Sequence, residues 1–143
     1  MNDNCSLCLE TIDGILWQDD FCRVVLLNDV DYPGYCRVEL LAHVKEMTDL
    51  PIQQRSQLMK VVCVVEQVIR DVLRPDKINL ASLGNKTPHL HWHVVPRFKN
   101  DKHFPNSHWG EAVRQGKVVN VDSETIIKIK TMIFNCLQSN VIL

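Results

Sequence analysis

The sequence predicts an antiparallel sheet of short strands with one long helix packed on it, and three observations lead there. Apolar and polar residues alternate over short runs bounded by turn residues, a continuous helical pattern runs from Pro51 to about Leu73, and three histidines recur at every second residue. These are His89, His91 and His93, within the stretch Asn79 to Phe98. Successive strand side chains point to opposite faces, so the spacing sets the three imidazoles on one face and Leu90, Trp92 and Val94 on the other. On a helix it would scatter them around the axis. Pro96 is expected to end regular pairing of that strand.

The elements follow in chain order. Asn4-Cys5-Ser6-Leu7-Cys8 holds a Cys-x-x-Cys spacing that lets two thiolates reach one tetrahedral Zn²⁺ from a tight turn, which is half a site. Trp17 to Leu27 reads as two short extended pieces around Asp19-Asp20, ending at Asn28-Asp29. Tyr32-Pro33-Gly34 is a turn, with proline fixing φ and glycine accepting a positive φ after it. Tyr35 to Leu41 alternates Arg37 and Glu39 with Cys36, Val38 and Leu40, as a half-exposed strand does. Thr48 or Asp49 is expected to cap the long helix, with Pro51 in its first turn and Arg74-Pro75 stopping it. Leu58, Val62, Val65, Ile69 and Val72 form its apolar stripe, widened by Val61, Val64 and Val68. So broad a face calls for burial on two sides, by a sheet and by a second subunit, so a homodimer is expected. Lys77 to Leu83 should form an antiparallel hairpin with the histidine strand. Lys99 to Gly116 is a long polar loop of the kind that is often functional. Asp122 or Ser123 then caps a last helix with Ile126, Ile129, Ile133 and Leu137 on one face.

At 143 residues and 45% apolar content, the chain is expected to form one domain with a real core. A net charge of −1 argues against nucleic acid as a partner, while a local cluster such as Lys86, Arg97 and Lys99 still allows a nucleotide. There is no basic-then-apolar leader and no apolar run near the roughly 18 to 20 residues that span a bilayer, so no membrane partner and a cytoplasmic location are expected. In that setting the six cysteines read as thiols or metal ligands rather than disulfides.

Imidazole has an unperturbed pKa of about 6.5, so near neutral pH it can attack an electrophile, move a proton or bind a metal. A single histidine on a strand surface needs no explanation. Three in register between Gly84-Asn85 and Pro96-Arg97 ask for one.

His89-Leu90-His91-Trp92-His93-Val94-Val95 resembles the histidine triad (HIT) signature, His-φ-His-φ-His-φ-φ with φ apolar, at every position. Gly34 to His43 is similar to the family's Gly-His-x-x-x-x-Pro-x-x-His segment, and Met47 to Leu50 continues in the same way. The resemblance spans about Cys5 to Phe98, leaving 99–143 as a loop and C-terminal helix. It implies an α+β fold with a five-stranded antiparallel sheet, usually a homodimer, and a nucleotide-binding hydrolase that cleaves at an α-phosphate and releases a nucleoside monophosphate. By position, the resemblance makes His91 the nucleophile and His93 the holder of a non-bridging phosphate oxygen. It sets Gly84 and Asn85 along the phosphate pocket, with Asn79 in support, Asn28 at the ribose and Leu26 at the base. Thr87 is a correctly typed further donor for charge building on the phosphoryl oxygens. No catalytic cofactor is required. In many bacterial members one zinc is bound by an N-terminal Cys-x-x-Cys, the histidine of the Gly-to-His segment and the first triad histidine, which here are Cys5, Cys8, His43 and His89. Such a Cys₂His₂ set marks a closed structural site.

The departures from the pattern are Tyr35 at the place of the family's first histidine, Leu40 at its proline, Glu39 at an apolar position, and Lys86 and Pro88 before the triad. Phe104-Pro105 with Trp109-Gly110 resembles a tail of a proteobacterial branch. Three functions stay open. One is a hydrolase of dinucleoside polyphosphates or nucleoside phosphoramidates, one a nucleotide sensor with slow or no turnover, and one a protein using the three imidazoles on a catalytic metal. The last is disfavoured because no carboxylate partner is written beside the motif.

Overall fold

The computed structural model describes residues 4–9 and 13–138. Five strands, β1 (Ile15–Gln18), β2 (Cys22–Leu26), β3 (Cys36–Leu40), β4 (Lys77–Ala81) and β5 (His91–Arg97), form one sheet in the order β1-β2-β3-β5-β4. Every neighbouring pair is antiparallel. The turn between β1 and β2 closes on Asp19, whose Oδ1 accepts the amides of Phe21 at 2.9 Å and Cys22 at 2.7 Å. The Tyr32-Pro33-Gly34 turn forms as expected, with the Tyr35 amide donating to the Tyr32 carbonyl at 3.1 Å. Gly34 has φ +87° there, a conformation that favours glycine, and a Cβ on it would push aside the end of the Leu73 side chain, whose Cδ1 would lie at 2.4 Å.

The α+β class holds, and four details differ from expectation. Pro96 does not end the pairing, since Ile78 faces Pro96 and Lys77 faces Arg97. Beyond Val94 the strand is paired with β4 alone, so a missing N–H is tolerated there as at a sheet edge. β4 stops at Ala81 rather than Leu83, which leaves Ser82 to Leu90 as a loop. His89 precedes the strand instead of opening it, because its amide is taken by the Thr87 carbonyl at 2.8 Å. β3 is not half-exposed, and Glu39 within it is fully buried.

A short helix, α1 (Ser6–Leu9), begins the described chain, and α2 (Ile52–Leu73) is the long one. Its start also differs from expectation. Asp49 belongs to a separate 3₁₀ turn, Met47–Asp49, where it accepts the Glu46 amide at 3.3 Å, and Pro51 is the cap residue of α2. The physical reason is that a residue before proline is driven out of the helical region, and Leu50 is extended at φ −83°, ψ 146°. At the other end Arg74 adopts the left-handed conformation, its amide returning to the Arg70 carbonyl.

The wide apolar face of α2 buries Leu58, Val61, Val62, Val64, Val65, Val68 and Ile69. One side packs on β3 and β5, the other on the C-terminal helix α3 (Ser123–Gln138). Asp122 caps α3 by accepting the Thr125 amide at 2.8 Å, and Ile129 and Ile133 fill the seam completely. The breadth of α2 is therefore satisfied within one chain and is no argument for a second subunit. The cysteines are free thiols. No helix among the described residues is long and apolar enough to cross a membrane.

Ile133 tests this seam. Ile133→Ala should cost about 2–5 kcal/mol by leaving a cavity under α3, measured as a drop in the urea denaturation midpoint at unchanged slope.

Candidate functional site

Trp92 and Val94 of β5 turn toward α2 and its core, which leaves His91 and His93 on the opposite face of the sheet. Register with β3 puts His91 across from Glu39 and His93 across from Arg37. An open cleft of about 320 Å³ lies over this face, bounded by Arg37, the loop residues Leu83 to Thr87, His91, His93 and Trp109. The loop is pinned at its base by the Ser82 hydroxyl, which donates to the His91 carbonyl at 2.8 Å. Gly84 sits at φ +74°, a bend that favours glycine.

Gly84, Asn85 and Thr87 thus reach the cleft with His91 and His93, while Leu26, Asn28 and Asn79 do not line it. Leu26 is paired with Cys36 on the α2 side and packs against the main core. Asn28 lies in the connection from β2 to β3. Asn79 accepts a hydrogen bond from Arg97 at 2.7 Å. Strand alternation and a buried arginine decide these outcomes, and neither is visible from position in a motif.

The hydrogen-bond partners settle which nitrogen of two triad rings carries the proton. A carbonyl oxygen only accepts, so His91 Nδ1, 2.6 Å from the His89 carbonyl, is the protonated nitrogen. In the neutral form of that ring the lone pair is then on Nε2. His89 is set the other way, donating from Nε2 to the Leu40 carbonyl at 2.6 Å and keeping its lone pair on Nδ1. His93 Nδ1 lies 2.5 Å from the Tyr35 hydroxyl, and its ring packs edge-to-face on His91 and on Trp109. Burial, together with His91, Arg37 and His108, pushes His93 down to about 3. Burial and Arg97 push His108 down to about 4. Both rings are therefore neutral at pH 7.

Around the far end of the triad, Cys5, Cys8, His43 and His89 converge, with one ligand atom from each lying within 4.8 Å of all the others. Cys5 and Cys8 stand 3.4 and 3.5 Å from His89 Nδ1, and Cys8 stands 3.5 Å from His43 Nδ1. Sulfur at about 2.3 Å and nitrogen at about 2.05 Å from a tetrahedral ion lie about 3.6 Å apart, so the spacing fits such an ion closely. The Leu40 carbonyl orients the His89 ring as an outer partner does for a ligating imidazole. This set can hold a metal ion. Arg23 fastens α1 to the sheet by donating to the Leu7 carbonyl at 2.9 Å, and its Nε meets Glu39 at 2.6 Å. Glu39 also pairs with Arg37, so the departure at position 39 is the anion that holds two arginines on this face.

Sequence reasoning missed what brings Trp109 to the cleft, and Arg97, grouped there with Lys86 and Lys99 as a cluster open to a nucleotide, is committed to other partners. Arg97 and Asp101, both nearly fully buried, form a bidentate pair at 2.8 and 3.1 Å. Arg97 also donates to the Asn106 carbonyl, and Asp101 accepts the amides of Phe98, His103 and Phe104. Burial works to raise the Asp101 carboxyl, but the Arg97 guanidinium and three amides hold it well below the usual carboxylate range. This knot folds the 99–116 loop back so that His108 and Trp109 pack on Tyr35 and His93. The length and polarity of the loop signalled a function, but nothing local named its partners.

A five-stranded antiparallel sheet whose histidines face an open cleft, beside a Cys₂His₂ cluster, defines the class. A family model described as "HIT domain" matches residues 9–100, and the chain belongs to that family. An "AP-4-A phosphorylase" of Mycobacterium tuberculosis is 34% identical over 86 residues, which are 55% of this chain and 44% of that protein, so the chain spans less than half of that relative's length. A histidine triad protein of Marinobacter aquaeolei matches in structure with a TM-score of 0.68 at 25% identity, over 90% of each chain. A zinc-bound histidine triad family protein of Mycobacterium smegmatis matches with a TM-score of 0.58 at 18% identity, again over 90% of each.

The neutral rings carry a pH dependence. His93 and His108 have folded pKa values below their unfolded value of about 6.5, so the unfolded chain binds more protons as pH falls. The stability they contribute is complete above about pH 6.5 and is lost as pH drops toward their folded values. His108→Gln should shrink the stability difference between about pH 6.5 and about pH 4.5, read from urea denaturation at the two pH values.

Proposed function

We propose that this protein is a nucleotide hydrolase in which His91 attacks the α-phosphorus of a dinucleoside polyphosphate or nucleoside phosphoramidate. The observation that carries the reading is the His91 proton on Nδ1, held by the His89 carbonyl, which leaves the Nε2 lone pair for the cleft. That lone pair forms a nitrogen–phosphorus bond while the bond from phosphorus to the leaving oxygen or nitrogen breaks. The leaving group departs with the electron pair and takes up a proton. Water then attacks the phosphorus, the nitrogen–phosphorus bond breaks, and the nucleoside monophosphate leaves with His91 restored. One hard displacement becomes two easier ones. His93, Asn85, Thr87 and the amides about Gly84 supply donors to the phosphoryl oxygens as charge builds on them.

The name of the mycobacterial relative favours a second acceptor, inorganic phosphate in place of water, which would release a nucleoside diphosphate. A nucleotide sensor with little turnover is the other reading. Incubation with diadenosine polyphosphates and with an adenosine phosphoramidate, with and without phosphate, separates all three by product. AMP formed without added phosphate marks the hydrolase, ADP formed from the phosphoramidate only when phosphate is present marks the phosphorylase, and tight nucleotide binding without product marks the sensor. His91→Ala should abolish turnover and leave nucleotide binding measurable; near-normal turnover in that variant would sink the assignment.

We further infer that Cys5, Cys8, His43 and His89 hold one structural Zn²⁺, which ties the N-terminal turn to the approach of β5. The zinc-bound mycobacterial structure supports the choice of metal. All four positions are filled by protein ligands, so the ion's role there is structural. Metal analysis should give one zinc per chain, lost in Cys8→Ser; zinc-free protein whose Cys5 alkylates freely would overturn it. The proposal includes a homodimer. Among the described residues β4 pairs with β5 alone and Leu80 is part-exposed on it, an edge that a second chain would cover. Light scattering at twice the mass of one chain is the expected result.

A further inference from the structure

The phenol of Tyr35 is buried, and it lies between two imidazoles. Its oxygen is 2.5 Å from His93 Nδ1 and 3.4 Å from His108 Nε2. A buried hydroxyl hydrogen needs an acceptor, and the two imidazole nitrogens are its side-chain partners here, so one contact is made as donor and the other as acceptor. Hydroxyl donors make the shorter bonds, and N–H donors the longer ones. The lengths therefore assign the Tyr35 hydrogen to His93 Nδ1, with His108 donating its Nε2–H to the phenol oxygen. With Nδ1 accepting, a neutral His93 carries its proton on Nε2, the nitrogen left for the cleft.

We propose that Tyr35 is a positioning residue which, backed by His108, fixes His93 as the Nε2–H tautomer and so makes it a hydrogen-bond donor to a phosphoryl oxygen. The chain of donors runs one way, from His108 to Tyr35 to His93 to substrate, and each bond polarises the next. Neighbouring His91 is held as the opposite tautomer by the His89 carbonyl, so two adjacent imidazoles offer a lone pair and a proton to the same phosphorus centre. The surroundings hold the arrangement in place. Trp109 packs tilted on His108, with centroids 3.9 Å apart, and edge-to-face on His93 at 4.8 Å. The Arg97–Asp101 knot anchors the loop that carries both. The departure at position 35 and the 99–116 loop are, in this reading, two halves of one device.

The inference rests on the nucleotidyl-transfer reading for its consequence, but its first test needs no substrate. Long-range ¹H–¹⁵N spectra of the full chain report the tautomer of His93 directly. The expected result is Nε2–H in the native protein and a population moved toward Nδ1–H in Tyr35→Phe. His93 found as Nδ1–H in the native protein, or unmoved in Tyr35→Phe, overturns the proposal even if hydrolysis is seen. A native Nε2–H tautomer with no turnover on any nucleotide would instead count against the proposed reaction and leave Tyr35's role standing. For kinetics, Tyr35→Phe should lower kcat by about 10- to 100-fold while changing KM by less than about threefold, since the lost donor acts on the transition state. A phenol that merely filled space would move stability and leave kcat and the spectra alone. Should Tyr35→Phe fail to fold, His108→Gln decides, with a smaller fall in kcat of about threefold or more expected and the His93 population shifted the same way. No shift in either variant ends the proposal.

Discussion

Antiparallel pairing of β3 with β5 puts Glu39 opposite His91 and Arg37 opposite His93, and at its end joins the Leu40 amide to the Leu90 carbonyl. From that same corner the Leu40 carbonyl accepts the His89 Nε2–H and His43 reaches the two cysteines. Because strand side chains alternate, a slip of one residue in this register would turn His91 and His93 into the α2 core and Trp92 and Val94 into the cleft. The core guards against it. Val38 and Val94 are fully buried between the sheet and α2, so the hydrophobic packing of one face fixes the chemistry of the other.

The three triad histidines are chemically alike and end in different roles because each has one nitrogen tied to a different partner. His89 donates its N–H to a strand carbonyl and faces the thiols, His91 donates its N–H to the carbonyl of His89, and His93 meets a phenol. None of these choices is a property of imidazole. They come from backbone and side-chain groups that the fold delivers, and burial keeps the His93 ring neutral so that the assignment persists at pH 7.

Two buried carboxylates organise the polar face. Glu39 gathers Arg23 and Arg37 at the end near the Cys₂His₂ cluster, and Asp101 gathers Arg97 and three amides at the loop end. Burying such charges costs several kcal/mol each, and they are tolerated because every one is paired and hydrogen-bonded. What they contribute is position. Arg23 clamps the N-terminal turn to the sheet, and Arg97 with Asp101 holds the loop whose Trp109 lines the cleft.

The strands, the long helix, the alternating triad and the Cys-x-x-Cys with its two distant histidines were legible in the sequence, because each is a local periodicity or a short motif of fixed chemical type. Turn chemistry at Tyr32-Pro33-Gly34 was legible for the same reason. The binding residues read from the motif and from donor type divided: Gly84, Asn85 and Thr87 reach the cleft, while Leu26 and Asn79 are drawn elsewhere, one into the α2 core and the other onto Arg97. Tyr35 read as a departure and His108 as loop, since their contacts join residues 58 and 73 positions apart, which no local pattern encodes. The sequence by itself determined which residue types stand on which face of each element. Tertiary structure alone decided which partner each imidazole nitrogen meets, because proton placement depends on groups brought together only when the sheet, the N-terminal turn and the 99–116 loop close on one another.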